Sequence, residues 1–252
     1  SDLPPKQSRP LVVDESVIAT LYGRETISEA VLDISEVLPV QPSTVWKELV
    51  PVLVRGLTSG ARVPGVAFLL GMPGAGRKTL AACVAGEVGC QGLLVVRLQA
   101  IRGLSLWDKV ALMLAAVRDA HLRNLALCLE SRSMREEHPL EDGEIQAALM
   151  RILPTLPLPC FLLSDTPIPM ELKARFFDVP ETRLGELSPS QKVGMWDELE
   201  QQHQCTTDRP EEVLTLLQSL ALNPGALQRL YGTSLAGARN RASEQPRIVV
   251  DD

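Results

Sequence analysis

Gly71-Met72-Pro73-Gly74-Ala75-Gly76-Arg77-Lys78-Thr79-Leu80-Ala81 follows directly on the apolar run Val66-Ala67-Phe68-Leu69-Leu70. The run predicts a buried parallel strand, the next six residues a glycine-rich loop, and the chain from Arg77 onward a helix. Glycines in such a loop let several backbone N–H groups converge on one anion, and the helix N-terminus adds its partial positive charge. The spacing Gly71-x-x-x-x-Gly76 between strand and helix is that of a phosphate-binding loop. A plain glycine turn is the competing reading; the flanking elements favour the phosphate cradle. The phosphate-binding pattern continues with Lys and then Ser or Thr, whereas this chain has Arg77, Lys78 and then Thr79.

Two alignments fit. Either one residue is inserted and Lys78-Thr79 is the working pair, or nothing is inserted and Arg77-Lys78 stand where Lys and the hydroxyl belong. An insertion at the helix start would rotate everything after it by roughly 100°. Leu80, Cys83 and Val84 form an apolar stripe continued by Glu87-Val88, and this phase fits the uninserted alignment, with Leu80 packing under the sheet. In that register Arg77 can neutralise phosphate bidentately, while Lys78 cannot coordinate Mg²⁺ and repels it. Gly71, Pro73, Gly74, Ala75, Gly76, Arg77, Lys78, Thr79 and Leu80 are therefore the candidate nucleotide-binding residues.

The 252 residues, 45% of them hydrophobic, suffice for a large core with a smaller unit appended. The net charge of -6 argues against a nucleic-acid partner, and an aromatic content of 4% gives no stacking platform for single strands. No apolar run approaches the ~18 residues of a membrane span. No signal peptide is visible; Ser1-Asp2 followed by Pro4-Pro5 reads as a linker. Cys83, Cys90, Cys128, Cys160 and Cys205 are odd in number and scattered, as expected of reduced, buried thiols in a cytoplasmic protein. Without a C-x-x-C pair, no zinc site is expected.

Along the chain, residues 1–43 read as an N-terminal extension, with a polar start, a short helix over Leu11–Tyr22 and a weak helical pattern at Ile27–Val37. Ser43 can cap a helix through Trp46, Leu49, Val50, Leu53 and Leu57. Residues 44–187 then alternate strands (Val66–Leu70, Leu93–Leu98, Leu125–Leu129, Pro159–Leu163, and one more at Thr182–Leu187) with helices (from Arg77, Trp107–Ala120, Ile145–Leu153). A charged loop fills Ser131–Gly143. This alternation predicts an α/β fold with a parallel sheet and helices on both faces. Residues 188–240 read as three helices in a small helical lid, and 241–252 as a tail.

A phosphate-loop α/β domain followed by a small helical lid resembles the AAA+ ATPases, and more narrowly the degenerate first AAA+ module of bacterial winged-helix AAA ATPases. Three further segments are similar to that family: Leu11-Val12-Val13-Asp14-Glu15-Ser16-Val17-Ile18 with Leu21-Tyr22-Gly23, before the sheet; Arg118 to Glu130, the helix leading into the Walker B strand; and Asn223-Pro224-Gly225-Ala226-Leu227-Gln228-Arg229, the lid segment that carries sensor 2. The resemblance covers roughly residues 11–240. It implies ATP or ADP as the ligand, Arg229 as the sensor 2 residue reaching the γ-phosphate, and a protein partner or a further AAA+ module of the same chain. The family ends its Walker B strand in Asp-Glu, one holding Mg²⁺ through water, the other polarising the attacking water. Here the strand ends Leu129-Glu130-Ser131. Whichever position Glu130 takes, the other is empty of function; Glu130 is the catalytic candidate, and Mg²⁺ is put in doubt from both the loop and the strand.

Other candidates carry less. Ser164, Asp165 and Thr166 follow the fourth strand, at the sensor 1 position, where a plain loop is an equal reading. Arg175 sits where the family often has its arginine finger, with a surface charge the blander alternative. His138 among Glu136, Glu137, Glu141 and Asp142 reads as part of a solvated acidic loop, and no Ser/His/Asp or Cys/His set can be assembled. The leading expectation is a degenerate module that binds nucleotide with weak or no hydrolysis and serves assembly, regulation or partner binding. A working ATPase using Lys78-Thr79 and Glu130, and a purely structural module whose pocket is filled by Arg77 or Lys78 bonding Glu130, are the alternatives.

Overall fold

The computed structural model describes residues 15–22, 27–58, 65–132, 138–176, 179–208, 210–241 and 247–248. Two short helices, α1 (Glu15–Leu21) and α2 (Glu29–Leu32), precede strand β1 (Ser35–Pro39) and helix α3 (Leu49–Thr58). Then follow β2 (Val66–Leu70), α4 (Arg77–Glu87), β3 (Gly92–Arg97), α5 (Leu106–Leu122), β4 (Leu125–Ser131), α6 (Gly143–Ile152), β5 (Cys160–Ser164), α7 (Met170–Arg175) and β6 (Glu181–Arg183). The chain finishes with α8 (Pro189–His203), β7 (Thr206–Thr207), α9 (Pro210–Ser219), α10 (Pro224–Arg241) and β8 (Arg247–Ile248).

The main sheet has six strands in the order β1-β3-β4-β5-β2-β6. Five run parallel, and β1 pairs antiparallel with β3. The sheet is therefore mixed, not wholly parallel, and it reaches back to Ser35, beyond the boundary expected at residue 44. The weak helical pattern at Ile27–Val37 yields a single turn of helix and then a strand. Glu36 and Val37 are exposed, and Pro39 ends the strand at the sheet edge, where no N–H is needed; this leaves little alternation to read. Ser43 caps only a 3₁₀ turn over Thr44–Trp46 before α3 begins at Leu49.

Both faces of the sheet are covered, as successive side chains of each strand demand. Ala67, Leu69, Val95, Cys128, Phe161 and Leu163 pack against α3 and α4. Val66, Phe68, Leu94, Val96, Leu127 and Leu162 pack against α5, α6 and α7 on the other side. The helices from Pro189 onward are not set apart from this core. Trp196, Leu199, Leu217, Leu227 and Tyr231 belong to the same apolar cluster as the α4 face. Within the segment read as a tail, Arg247–Ile248 pairs with Thr206–Thr207, and Ile248 is buried. All five cysteines are buried, and none is in a disulfide. The readings of residues 1–10, of Leu11 to Asp14 and of 249–252 lie outside the described residues. Among the described residues no helix is long and apolar enough to cross a membrane.

Candidate functional site

The chain leaves β2 and β5, which are adjacent, toward opposite faces of the sheet: β2 feeds α4 on one, β5 feeds α7 on the other. In open α/β sheets such a divergence opens a crevice at the carboxyl ends of the strands, and ligands bind there. A cavity of about 1790 Å³ occupies this end of the molecule. Its wall comprises the segment 40–47, α3, the loop at Pro73–Gly76, α4, Glu130 near the end of β4 with Arg132 just beyond it, and the facing sides of α8 and α10.

The glycine loop sits at the C-terminal end of β2, and Gly76 caps α4 with φ 84, a left-handed conformation that favours glycine. A Cβ at Gly76 would also lie 2.6 Å from Trp46 Cζ2. Met72 accepts a hydrogen bond from the Ala75 N–H, and Gly76 accepts from Leu80. Among the described residues, none accepts from the backbone N–H groups of Gly76, Arg77, Lys78 or Thr79. These are the orphan donors of a helix start. Arg77 is only 6% exposed, and its Nη1 is buried without a hydrogen-bond partner. Burial pulls its pKa below the ordinary arginine value, an effect partly offset by Asp165 and Glu130. N–H donors unpartnered among the described residues and a helix N-terminus, backed by the desolvated guanidinium, can hold an oxyanion.

Lys78 turns to the carboxylates. Its Nζ lies 2.6 Å from Glu36 Oε1 and 3.0 Å from Glu130 Oε2. Burial acts to lower its pKa, but the hydrogen bonds to Glu36 and Glu130 together raise it above the ordinary lysine value, so it stays a cation. Thr79 is exposed on the cavity wall, and Leu80 is fully buried in the α4-side core. Ala75 is buried beneath the loop, while Gly71 leads out of β2 with its N–H donated to the Ser164 carbonyl. The start of α10 rests on the loop: the Gly225 N–H donates to the Gly74 carbonyl at 2.8 Å. Arg229 is exposed on α10, whose contribution to the cavity wall is Pro224, Gly225 and Gln228. Arg175 is exposed at the end of α7, a helix that contributes no residue to the described cavity wall.

One group escaped the sequence reading. His138 is buried, 4% exposed, and is not part of a solvated loop. Its Nε2 lies 3.2 Å from Asp165 Oδ1, 3.3 Å from Ser131 Oγ and 3.4 Å from Ser164 Oγ. Its Nδ1 accepts the Leu140 N–H at 3.2 Å, which leaves the proton of the neutral ring on Nε2, facing Asp165. A Ser/His/Asp set is thus assembled after all, by the parallel register that places Ser131 opposite Ser164. It cannot relay a proton from serine to carboxylate, because both bond the same ring nitrogen. The signal in the sequence was His138-Pro139, a helix-capping pair, hidden among acidic neighbours.

No protein-family model matches this chain, and no curated protein matches it.

Proposed function

We propose that this chain is a P-loop module of the AAA+ type that binds ATP or ADP, hydrolyses it poorly or not at all, and serves assembly, regulation or partner binding within a larger AAA+ ATPase. One observation carries the binding half: four N–H groups at the start of α4, unpartnered among the described residues, stand beside the desolvated Arg77 guanidinium, on the wall of a cavity large enough for a nucleotide. The strand order and the loop at the β2–β5 divergence agree with it.

The weak-hydrolysis half rests on Lys78 and Glu130. Their 3.0 Å contact favours Glu130 at the metal-side position of the strand end, which leaves Ser131 where a base belongs, buried against His138. Losing a positioned base typically costs ~10²–10⁴-fold in rate. Mg²⁺ does not fit this donor set, because an ammonium lies between the two carboxylates that would face it. Titrating ATP and ADP into the purified chain by calorimetry, with phosphate release followed in parallel, tests the proposal. Binding without turnover is expected; turnover at ~1 s⁻¹ or faster, abolished by Glu130→Gln, would replace it with the working ATPase.

A second reading has its own support. The Lys78–Glu130 pair and the Gly225–Gly74 contact fill part of the loop's surroundings from within the chain. A purely structural module would use the glycines for that close packing and bind no nucleotide in the same titration.

A further inference from the structure

We propose that Lys78 is a resident cation standing in for a divalent metal, so that the site takes a metal-free nucleoside diphosphate in preference to a metal-bound triphosphate. The proposal rests on the nucleotide-binding reading and specifies the form of its ligand.

Phosphate loops ordinarily place a small hydroxyl on the second helical residue, opposite a strand-end carboxylate, and the metal sits between them. In this chain the same line of approach, from the second residue of α4 to the end of β4, is spanned by a side chain of this protein. Lys78 Nζ reaches Glu130 at 3.0 Å and continues to Glu36 on the edge strand at 2.6 Å. Mg²⁺ requires near-octahedral oxygen ligation at about 2.0–2.1 Å and keeps several waters. It cannot share Glu130 with an ammonium already within hydrogen-bonding distance, and two cations there repel. Both carboxylates lie within hydrogen-bonding distance of the ammonium, so the charge is held by two partners at once. The Glu130 side chain is 13% exposed, against 33% for Lys78 and 48% for Glu36, so of the two contacts the one to Glu130 is the better shielded from solvent.

The charge count then selects the ligand. Arg77, Lys78 and Arg132 are set against Glu36, Glu130 and Asp165, so the side chains at this corner cancel. What remains for an anion is the set of N–H groups unpartnered among the described residues and the α4 N-terminus, equivalent to roughly half a positive charge, beside the Arg77 guanidinium. That suits a diphosphate. A γ-phosphate would add negative charge next to Glu130, where the metal that ordinarily neutralises it has no place.

Calorimetric titration of the full chain with ADP, ATP and inorganic pyrophosphate, each in excess EDTA and again in excess MgCl₂, tests this, with the Lys78→Thr variant run alongside. For the natural chain, the ADP affinity should agree within about threefold between the two conditions, and ATP in EDTA should bind about tenfold or more weakly than ADP. Lys78→Thr, which restores the hydroxyl and frees Glu130, should bind more tightly with Mg²⁺ by about tenfold or more. Mn²⁺ water-proton relaxation gives a second readout: Mn²⁺ should be captured with nucleotide by Lys78→Thr and not by the natural chain. Mg²⁺-dependent binding to the natural chain, or Mn²⁺ captured in its complex, would overturn the role of Lys78 while leaving nucleotide binding intact. The EDTA comparison needs no variant and decides the matter even if Lys78→Thr does not fold. Absence of binding by all three ligands in both conditions would instead overturn the nucleotide reading, and this inference with it.

Discussion

Arg77 is a group whose removal should stabilise the empty protein and disable it for binding. It sits 6% exposed with Nη1 unpartnered. A buried polar group left without its hydrogen bond costs about 1–3 kcal/mol. The attraction of Asp165 and Glu130 offsets part of that cost, but neither carboxylate depends on Arg77 alone: Asp165 faces His138, and Glu130 holds Lys78. Burial outweighs both attractions, as the lowered Arg77 pKa records. Arg77→Met keeps most of the apolar stem and fills the space without a polar end. The empty variant should therefore be about 1 kcal/mol more stable than the natural chain, or about 2–4 °C higher in Tm for a chain of this size. Saturating ADP at a hundred times its Kd adds about 2.7 kcal/mol to a binding-competent protein, and the variant should lose most of that gain. Urea denaturation with and without ADP measures both numbers on one sample. If Arg77→Met lowers the stability of the empty protein by more than about 1 kcal/mol and leaves the response to ADP intact, Arg77 is a structural residue and the oxyanion reading of the loop fails.

Three further outcomes follow from particular contacts. Gly225→Ala would push a Cβ to 2.9 Å from Gly74 Cα; with backbone on both sides, α10 must lift from the loop, and thermal denaturation should register a loss of about 1–3 kcal/mol. His138→Ala removes the acceptor of the Leu140 N–H and a partner of Asp165, Ser131 and Ser164 at once, so unfolding should show at least about 2 kcal/mol lost; a change under half of that would mean the cluster is held without the imidazole. Burial, with Glu198 adding to it, raises the Cys83 thiol from 9.0 to about 11. The folded state therefore holds this proton more tightly than the unfolded chain, and the contribution is intact below pH 9 and lost as pH rises through 11. Urea midpoints should fall between those pH values, and Cys83→Ala should flatten that fall.

The central strands and the helices between them were legible because each strand is buried on both faces and so reads as an unbroken apolar run: Val66–Leu70 and Cys160–Ser164 are buried at every position. β1 was not legible, for the opposite reason. An edge strand with Glu36 and Val37 in solvent has neither a run nor an alternation, and its pairing with β3 is decided by a distant partner. β7 and β8 are two residues each, below the length at which any period can be read. Leu80 could be placed from its stripe because helix phase is local. His138 could not be placed, because its burial depends on two strand ends, at Ser131 and Ser164, meeting the turn that His138 caps. The same holds for Lys78: the sequence shows a cation where a hydroxyl is expected, and nothing near it in the chain announces Glu36, 42 residues earlier.

That last contact changes how the two departures from the phosphate-loop pattern relate. Taken separately, Lys78 and the strand ending Glu130-Ser131 look like two independent losses, each subtracting from a metal-dependent site. In three dimensions they are partners, since the ammonium at the start of α4 and the carboxylate at the end of β4 meet at 3.0 Å. A lysine with no carboxylate opposite it would leave a half-buried ammonium competing for the same phosphate as Arg77. A carboxylate with neither metal nor ammonium would be a partly buried negative charge beside an anion site. Either change alone destabilises the corner, whereas together they neutralise one another and leave the N–H groups of the loop facing the cavity. Glu36 ties the pair to the edge strand as well, so the occupancy of the loop is mechanically continuous with β1 and the segment that precedes it. A ligand that drew Lys78 away from Glu36 would loosen that edge, and under the proposed reading this is how occupancy of the loop would reach β1.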